Sequence, residues 1–551
     1  VSTRHSSLLA LGFLLTAVSA AAEPFLIPAI TGEWTRITRT PDLGELNGVK
    51  QQPVDFAVWQ ATDQTWQLMA CIGGTKEIGK TRLLYRWESP ELTSPNWKPV
   101  GIAMRADAAL GETPGGLQAP YVYRDGGQCR MLYGDWVRIC SATSTDGKNF
   151  TRDASTNGQP AFFSRGAQDN ARDPCLLRVG HQSHLYYTAH PENKGAVYSR
   201  QSSDGKKWSP EKLVTKGGDS GDGPYSAECP FVVEHSPGQF YLFRTQGCGA
   251  KAVTRVYHST HPENLGVFGD YGDALHFVGT LPVAAPELVK VGADWFIVAL
   301  TPALDGHQIA RLEWSAPPQT KPAPVAATGE KIRIALFDDQ GSFGKGVPSC
   351  AAQLGAVPGM EVTKLDAEGI RAGLSGYHAI IFSGGSGGKQ ANTIGLRGRE
   401  EVRRFVEAGG GYVGIRAGAY LVCSGFRWSV PVLDAKTPSS LWMRGEGNVK
   451  IETTPQAQSL LQLPAHAGVR YANGPILTPG NRADIPDYEP LVFFRSELSK
   501  TPKHEGLQIN TPAIVIGKYG QGIVLACSPH PEQTAGMEHW IEKAVRAVLR
   551  R

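Results

Sequence analysis

At 551 residues the chain is longer than one hydrophobic core accommodates and implies two or three domains. Its 41% hydrophobic content and formal charge of +4 are those of an ordinary globular protein, and the charge is too small to argue for nucleic acid or an anionic membrane surface as partner. Its 64 glycines and 38 prolines suit many short strands joined by tight turns.

The N-terminus reads as an export signal over residues 1–22. Arg4 and His5 precede an apolar run at 8–18, and small residues at 19–22 supply a cleavage site. The run is too short to span a bilayer, and no later stretch reaches about 18 apolar residues. A secreted or periplasmic protein without a membrane span is therefore expected. Nine cysteines permit disulfides but leave at least one unpaired. Cys129 and Cys140 flank a predicted hairpin and face each other across it in one reading; scattered buried thiols are the other. No Cys/His spacing suits a metal, so neither a metal nor a cofactor is predicted.

Downstream, four segments open alike: Ala119-Pro120-Tyr121-Val122, Asp173-Pro174-Cys175-Leu176, Cys229-Pro230-Phe231-Val232 and Ala285-Pro286-Glu287-Leu288. Their prolines are 54, 56 and 56 residues apart, and a looser copy, Val54-Asp55-Phe56-Ala57-Val58, lies upstream. Each opening is followed by a second, aromatic-rich run, as in Arg130-Met131-Leu132-Tyr133, His184-Leu185-Tyr186-Tyr187 and Phe240-Tyr241-Leu242-Phe243. Self-similarity at this period, with strand alternation in every copy, predicts a five-bladed β-propeller over residues 25–315. Asp146-Gly147 and Asp204-Gly205 read as structural hairpin turns, each followed by a packing aromatic.

Two copies carry acids where the others do not, in Arg172-Asp173-Pro174 and Glu228-Cys229-Pro230, and Asp55 opens the first copy. The innermost strands of a propeller begin near its axis, so Asp55, Asp173 and Glu228 are expected to converge in one funnel. Crowded carboxyls shift one another's pKa in the way sugar-bond hydrolysis requires. Glu228 stands one residue earlier, relative to its proline, than Asp173 does. Strand alternation turns it to the opposite face unless the strand start is bulged. The plainer alternative makes these acids turn caps and Arg172 a structural ion-pair partner. Trp59, Trp136 and Tyr225 are either stacking platforms or core.

An aspartate in the first blade, Arg172-Asp173-Pro174 in the third and Glu228-Cys229-Pro230 in the fourth together resemble the five-bladed propeller glycosidases. That group includes the invertase, levansucrase, arabinanase and xylosidase families. The resemblance implies Asp55 as nucleophile or base, Asp173 as transition-state stabiliser, Glu228 as general acid and Arg172 as a substrate-binding residue, acting on an oligo- or polysaccharide. The first blade departs from the family pattern: Phe56 follows Asp55 where the family has Pro.

Residues 316–330, rich in proline, read as a stiff interdomain linker. Over 331–551 the pattern changes to apolar strands at 332–337, 377–382 and 411–415, a helix over 397–408 and an amphipathic helix over 539–549. Strands alternating with helices predict an α/β domain whose parallel sheet is covered on both faces. Gly411-Tyr412-Val413-Gly414-Ile415-Arg416-Ala417-Gly418-Ala419-Tyr420 is a strand, a tight turn and a helix start, and Cys527-Ser528-Pro529-His530-Pro531-Glu532 lies near the end of the chain. With Ser383-Gly384-Gly385 and Asn473-Gly474-Pro475 they resemble the flavodoxin-like class I glutamine amidotransferase fold, in particular the biotin-protein ligase N-terminal domain family, whose elbow reads Gly-Ile-Cys-Ala-Gly-Ala-Tyr.

That resemblance implies a nucleophile position held here by Arg416, a base and its orienter at His530 and Glu532, and an oxyanion nest at Gly384 and Gly385. A guanidinium stays protonated and cannot attack a carbonyl. Cys423, about 10 Å further along the helix axis, does not replace the thiol, so glutaminase activity is not expected. Arg416 either fills the old site beside Glu532 or binds a carboxylate or phosphate. The expected function is that of an exported glycoside hydrolase-like protein. The alternatives are a non-catalytic carbohydrate-binding scaffold and a small-anion-binding pseudo-amidotransferase.

Overall fold

The computed structural model describes residues 25–153, 161–165, 169–217, 223–247, 249–266, 274–318, 320–323, 330–438, 445–499, 502 and 505–550. The export signal read at 1–22 lies outside the described residues. Five antiparallel sheets follow one another along the first half of the chain and form the blades of a propeller. Their first strands are Gln52–Gln60, Gln118–Asp125, Arg172–Val179, Glu228–Ser236 and Glu287–Val291. First strands of successive blades touch from the first to the fourth, and that of the fifth touches that of the first, so they surround a common axis. The ring closes on a strand that the repeat does not announce. Ile27–Arg36 pairs antiparallel with His307–Ser315 as the outer strand of the fifth blade, tying the start of the propeller to its end.

The heads of the first four innermost strands are bulged. Residues 53 to 56, 118 to 121, 172 to 175 and 228 to 231 each take three steps where the partner strand takes two. The residue ahead of each proline adopts a left-handed φ: 47° at Ala119, 50° at Asp173, 49° at Cys229 and 42° at Ala285. A β-bulge re-aims side chains at the end of a strand. Simple alternation therefore fails at Glu228, and its side chain meets those of the third blade.

Blade faces pack on one another through the alternate apolar residues. Phe56, Leu68 and Trp87 of the first blade share a core with Val298 and Ile309 of the fifth. Asp146 Oδ1 accepts the backbone N–H groups of Lys148 and Asn149 at 2.7 and 2.8 Å, and Asp204 Oδ1 does the same for Lys206 and Lys207 at 2.8 Å, so both turns are structural. Trp59 is core: it is buried, donates its indole N–H to Gly147 O at 2.8 Å and meets Phe150 edge-on. Cys129 and Cys140 do not face each other. The hairpin register sets Cys129 opposite Ser144 and Cys140 opposite Tyr133, and the eight described cysteines are all unpaired.

The described linker residues lie along the second domain. Thr320 Oγ1 donates to Glu401 Oε2 at 2.6 Å, and the Ala323 N–H donates to Tyr377 O at 2.8 Å. That domain is built on one mixed sheet of nine strands. Five parallel strands come first, in the spatial order Met360–Leu365, Ile332–Phe337, Ala379–Phe382, Gly411–Ile415 and Gly522–Cys527. Pro512–Tyr519, Glu489–Phe494, Glu446–Thr453 and His466–Ala472 extend it antiparallel. Helix Gly387–Glu407 begins ten residues before the predicted start. Gly387, Gly388 and a break at Gly395, φ 68°, obscure its periodicity. It docks on the fourth blade, where Arg399 Nη2 donates to Leu275 O at 2.6 Å.

One glycine fixes the approach of the helical turn Ala417–Val422 to the end of strand Ala379–Phe382. A Cβ on Gly418 would lie 2.1 Å from the carbonyl oxygen of Phe382. Backbone cannot yield as a side chain can, so Gly418→Ala is expected to destabilise the second domain by about 1–3 kcal/mol or more. A melting temperature equal to wild type would contradict this.

Candidate active site

The bulged strand heads deliver three acids from three blades to one connected cluster. Arg172 Nη2 contacts Glu228 Oε1, and Arg172 Nε lies 3.6 Å from Asp173 Oδ2. A single guanidinium thus bridges the acids of the third and fourth blades. Asp173 Oδ2 also accepts the Cys229 N–H at 3.2 Å, and Cys229 Sγ lies 3.7 Å from Asp55 Oδ1. Asp173 and Arg172 are buried, and the Glu228 side chain is 12% exposed. Arg172 reaches Asn170 O at 3.2 Å and His190 Nδ1 at 3.4 Å as well. Both of its terminal nitrogens thus have protein partners.

Burial raises Asp55 to about 6, and the neighbouring charge of Asp173 pushes the same way against Arg82 and Arg172. Burial likewise raises Glu228 to about 7, with Arg172 pulling it down and Asp173 pushing it up. A further acid that the repeat does not single out is Glu287, partly buried at the head of the fifth blade, where desolvation and the Asp55 charge hold it well above the usual carboxyl range. Its signal was present, since it directly follows the last repeat proline. Four carboxyls thus face two guanidiniums, Arg82 and Arg172, and burial favours the protonated forms of Asp55, Glu228 and Glu287.

Asp55, Asp173 and Cys229 offer ligand atoms within 4.8 Å of one another, close enough to hold a metal ion. The compensating positive charge that the structure supplies there is guanidinium. Asp173 Oδ1 is buried with no hydrogen-bond partner among the described residues. The cavity on the axis, bordered by Asp55, Asp173, Cys229 and Glu287, measures about 30 Å³, room for a water molecule and little more. Trp136 lies beside this centre, under Lys80 and Arg82 at 4.7 and 5.1 Å. Tyr225 is 51% exposed.

The second domain gathers its own group. Arg416, between strand Gly411–Ile415 and the following helical turn, has φ 52° and ψ −93°. This backbone costs a non-glycine residue about 1–3 kcal/mol, and its N–H is anchored on Cys527 O at 2.8 Å. His530 Nδ1 lies 2.7 Å from Glu532 Oε1, both buried. Gly384 abuts the His530 ring, and Gly385, at φ 138°, has no room for a Cβ beside Gly341 O. The five sequence-predicted residues of this site are thus brought together. Arg416 Nε donates to Ala472 O at 2.9 Å rather than pairing with Glu532, so the guanidinium does not fill the site as Glu532's partner. Cys423 and Cys527 are fully buried.

No family model matches the chain, and no curated protein matches it. Solved structures similar to the propeller half include a thermostable family-43 glycoside hydrolase, 17% identical, covering 48% of this chain and 90% of that one with a TM-score of 0.36. The endo-arabinase from Bacteroides thetaiotaomicron is 12% identical and covers 51% of this chain and 97% of its own, with a TM-score of 0.36. The catalytic domain of the Coprinopsis cinerea GH62 alpha-L-arabinofuranosidase is 13% identical and covers 52% and 97%, with a TM-score of 0.36. Each of these likenesses covers about half of this chain.

Proposed function

We propose that the propeller is an exported glycoside hydrolase domain, with Glu228 as general acid, Asp55 as the base or nucleophile and Asp173 stabilising positive charge that develops on the sugar. The observation that carries this reading is the Arg172 bridge between Asp173 and Glu228, with Asp55 joined through Cys229. A proton donor and a proton acceptor with separated, raised pKa values are what glycosidic cleavage uses. Arg172 holds the two acids in register. A panel of aryl glycosides and oligosaccharides, assayed with wild type, Asp173→Asn and Glu228→Gln, tests it. Turnover by wild type that both substitutions remove supports hydrolysis, whereas wild type inert on every glycan refutes it.

The acid and base set a pH profile. Activity requires Asp55 ionised and Glu228 protonated, so kcat/KM rises through about 6 and falls through about 7. Glu228→Gln removes the falling limb from whatever activity remains. A plateau extending beyond pH 8 in wild type would contradict the assignment.

A second reading, a carbohydrate-binding propeller without turnover, is favoured by the displaced first acid, Asp55 before Phe56, and by the small axial cavity. Retained glycan binding without hydrolysis distinguishes it. For the second domain we propose the flavodoxin-like, class I amidotransferase-like fold, supported by the 2-1-3-4-5 order of its parallel strands. Arg416 stands at the nucleophile position beside His530 and Glu532. Glutamine hydrolysis is not expected there, and His530→Ala should leave glycan turnover unchanged.

A further inference from the structure

The second domain holds a cavity of about 650 Å³ bordered by Phe343, Lys345, Arg416, Glu446, Arg470 and His530. Its charges do not cancel. Arg470 takes Glu446 at 3.2 Å; Glu446 acts on Arg416 only through its more distant charge, and neither Arg416 nor Lys345 has a carboxylate at ion-pair distance among the described residues. Arg416 spends its Nε on Ala472 O, so the Nη1–Nη2 edge remains, and two parallel N–H bonds from that edge match the two oxygens of a carboxylate. The Glu532 carboxylate fixes the His530 ring through Nδ1, which leaves Nε2 without a protein partner among the described residues. Phe343 completes the set: a 59% exposed aromatic ring whose centroid lies 5.9 Å from the Arg416 guanidinium. An exposed aromatic beside an unpaired cation suits a ligand with an apolar face and one negative end.

We propose that this cavity binds a small molecule carrying a carboxylate, the carboxylate held by Arg416 and Lys345 and the body of the ligand laid against Phe343. The site is independent of the propeller's acids and of whether they hydrolyse anything.

Isothermal titration of the full-length protein with D-glucuronate, benzoate, D-glucose and inorganic phosphate tests the proposal. At least one of the two carboxylates is expected to bind, with D-glucose much weaker. Arg416→Gln should weaken the carboxylate about tenfold or more, the loss of a charge-assisted pair. Lys345→Gln, at an exposed position, should weaken it several-fold and decides the matter if Arg416→Gln does not fold. Asp173→Asn should leave this binding unchanged. The proposal is overturned if neither carboxylate binds, if D-glucose binds as tightly as D-glucuronate, or if phosphate binds more tightly than both carboxylates. It is also overturned if affinity survives the Arg416 and Lys345 substitutions, or disappears with Asp173→Asn instead.

Discussion

Glu228→Gln should lower kcat/KM on a responsive glycoside by about a hundred- to ten-thousand-fold, the usual contribution of a positioned general acid. The amide keeps the size of the side chain and its reach to Arg172, but it has no proton to give the departing sugar oxygen. Binding should persist, because the change removes a proton and leaves the surface in place. Aryl glycosides grade the effect: a leaving group of low pKa needs little protonation, so its rate should fall least. An equal loss across all leaving groups would point to a damaged fold in place of a missing acid.

The second large effect is on stability. Arg172→Ala should cost about 3–5 kcal/mol, because it strands Asp173 and Glu228 in a buried cup without their shared cation. The loss should depend on pH, with a definite sign. Asp55 and Glu228 already have folded-state values above those of an unfolded chain, near 6 and 7 against about 4. A carboxyl raised in the folded state favours folding while protonated, so stability falls as pH climbs from about 4 to about 7. Removing Arg172 raises these values further and steepens the fall. The melting temperature of the propeller should therefore recover towards wild type near pH 4. Recovery at high pH instead would reverse the sign and contradict the charge account.

The propeller is legible in the sequence because the repeated prolines fix where four of the innermost strands begin, which brings Asp173 and Glu228 near one axis, and the looser first copy adds Asp55. Two things are not. The bulges at the first four strand heads and the left-handed φ of Ala119, Asp173, Cys229 and Ala285 ahead of the repeat prolines have no common side-chain type to announce them. The closing strand Ile27–Arg36 has no local signal, since its partner, His307–Ser315, lies at the other end of the domain. Glu287 is not legible as part of this cluster, because only closure of the ring brings the head of the fifth blade beside Asp55. In the second domain the strand ahead of Arg416 is legible to the residue, Gly411–Ile415, because a continuous apolar run that follows glycines leaves little choice. That Arg416 turns to Ala472 O and not to Glu532 depends on side-chain packing that periodicity does not carry.

Acids that share one desolvated cup titrate differently from acids that stand alone in water. Carbon-13 titration of the Asp and Glu carboxyls reads this directly and needs no substrate. The account predicts one carboxyl titrating near 6 that disappears in Asp55→Asn and one near 7 that disappears in Glu228→Gln. Ordinary values near 4 for both would mean that each acid sits alone in water, and the shared cup would not exist.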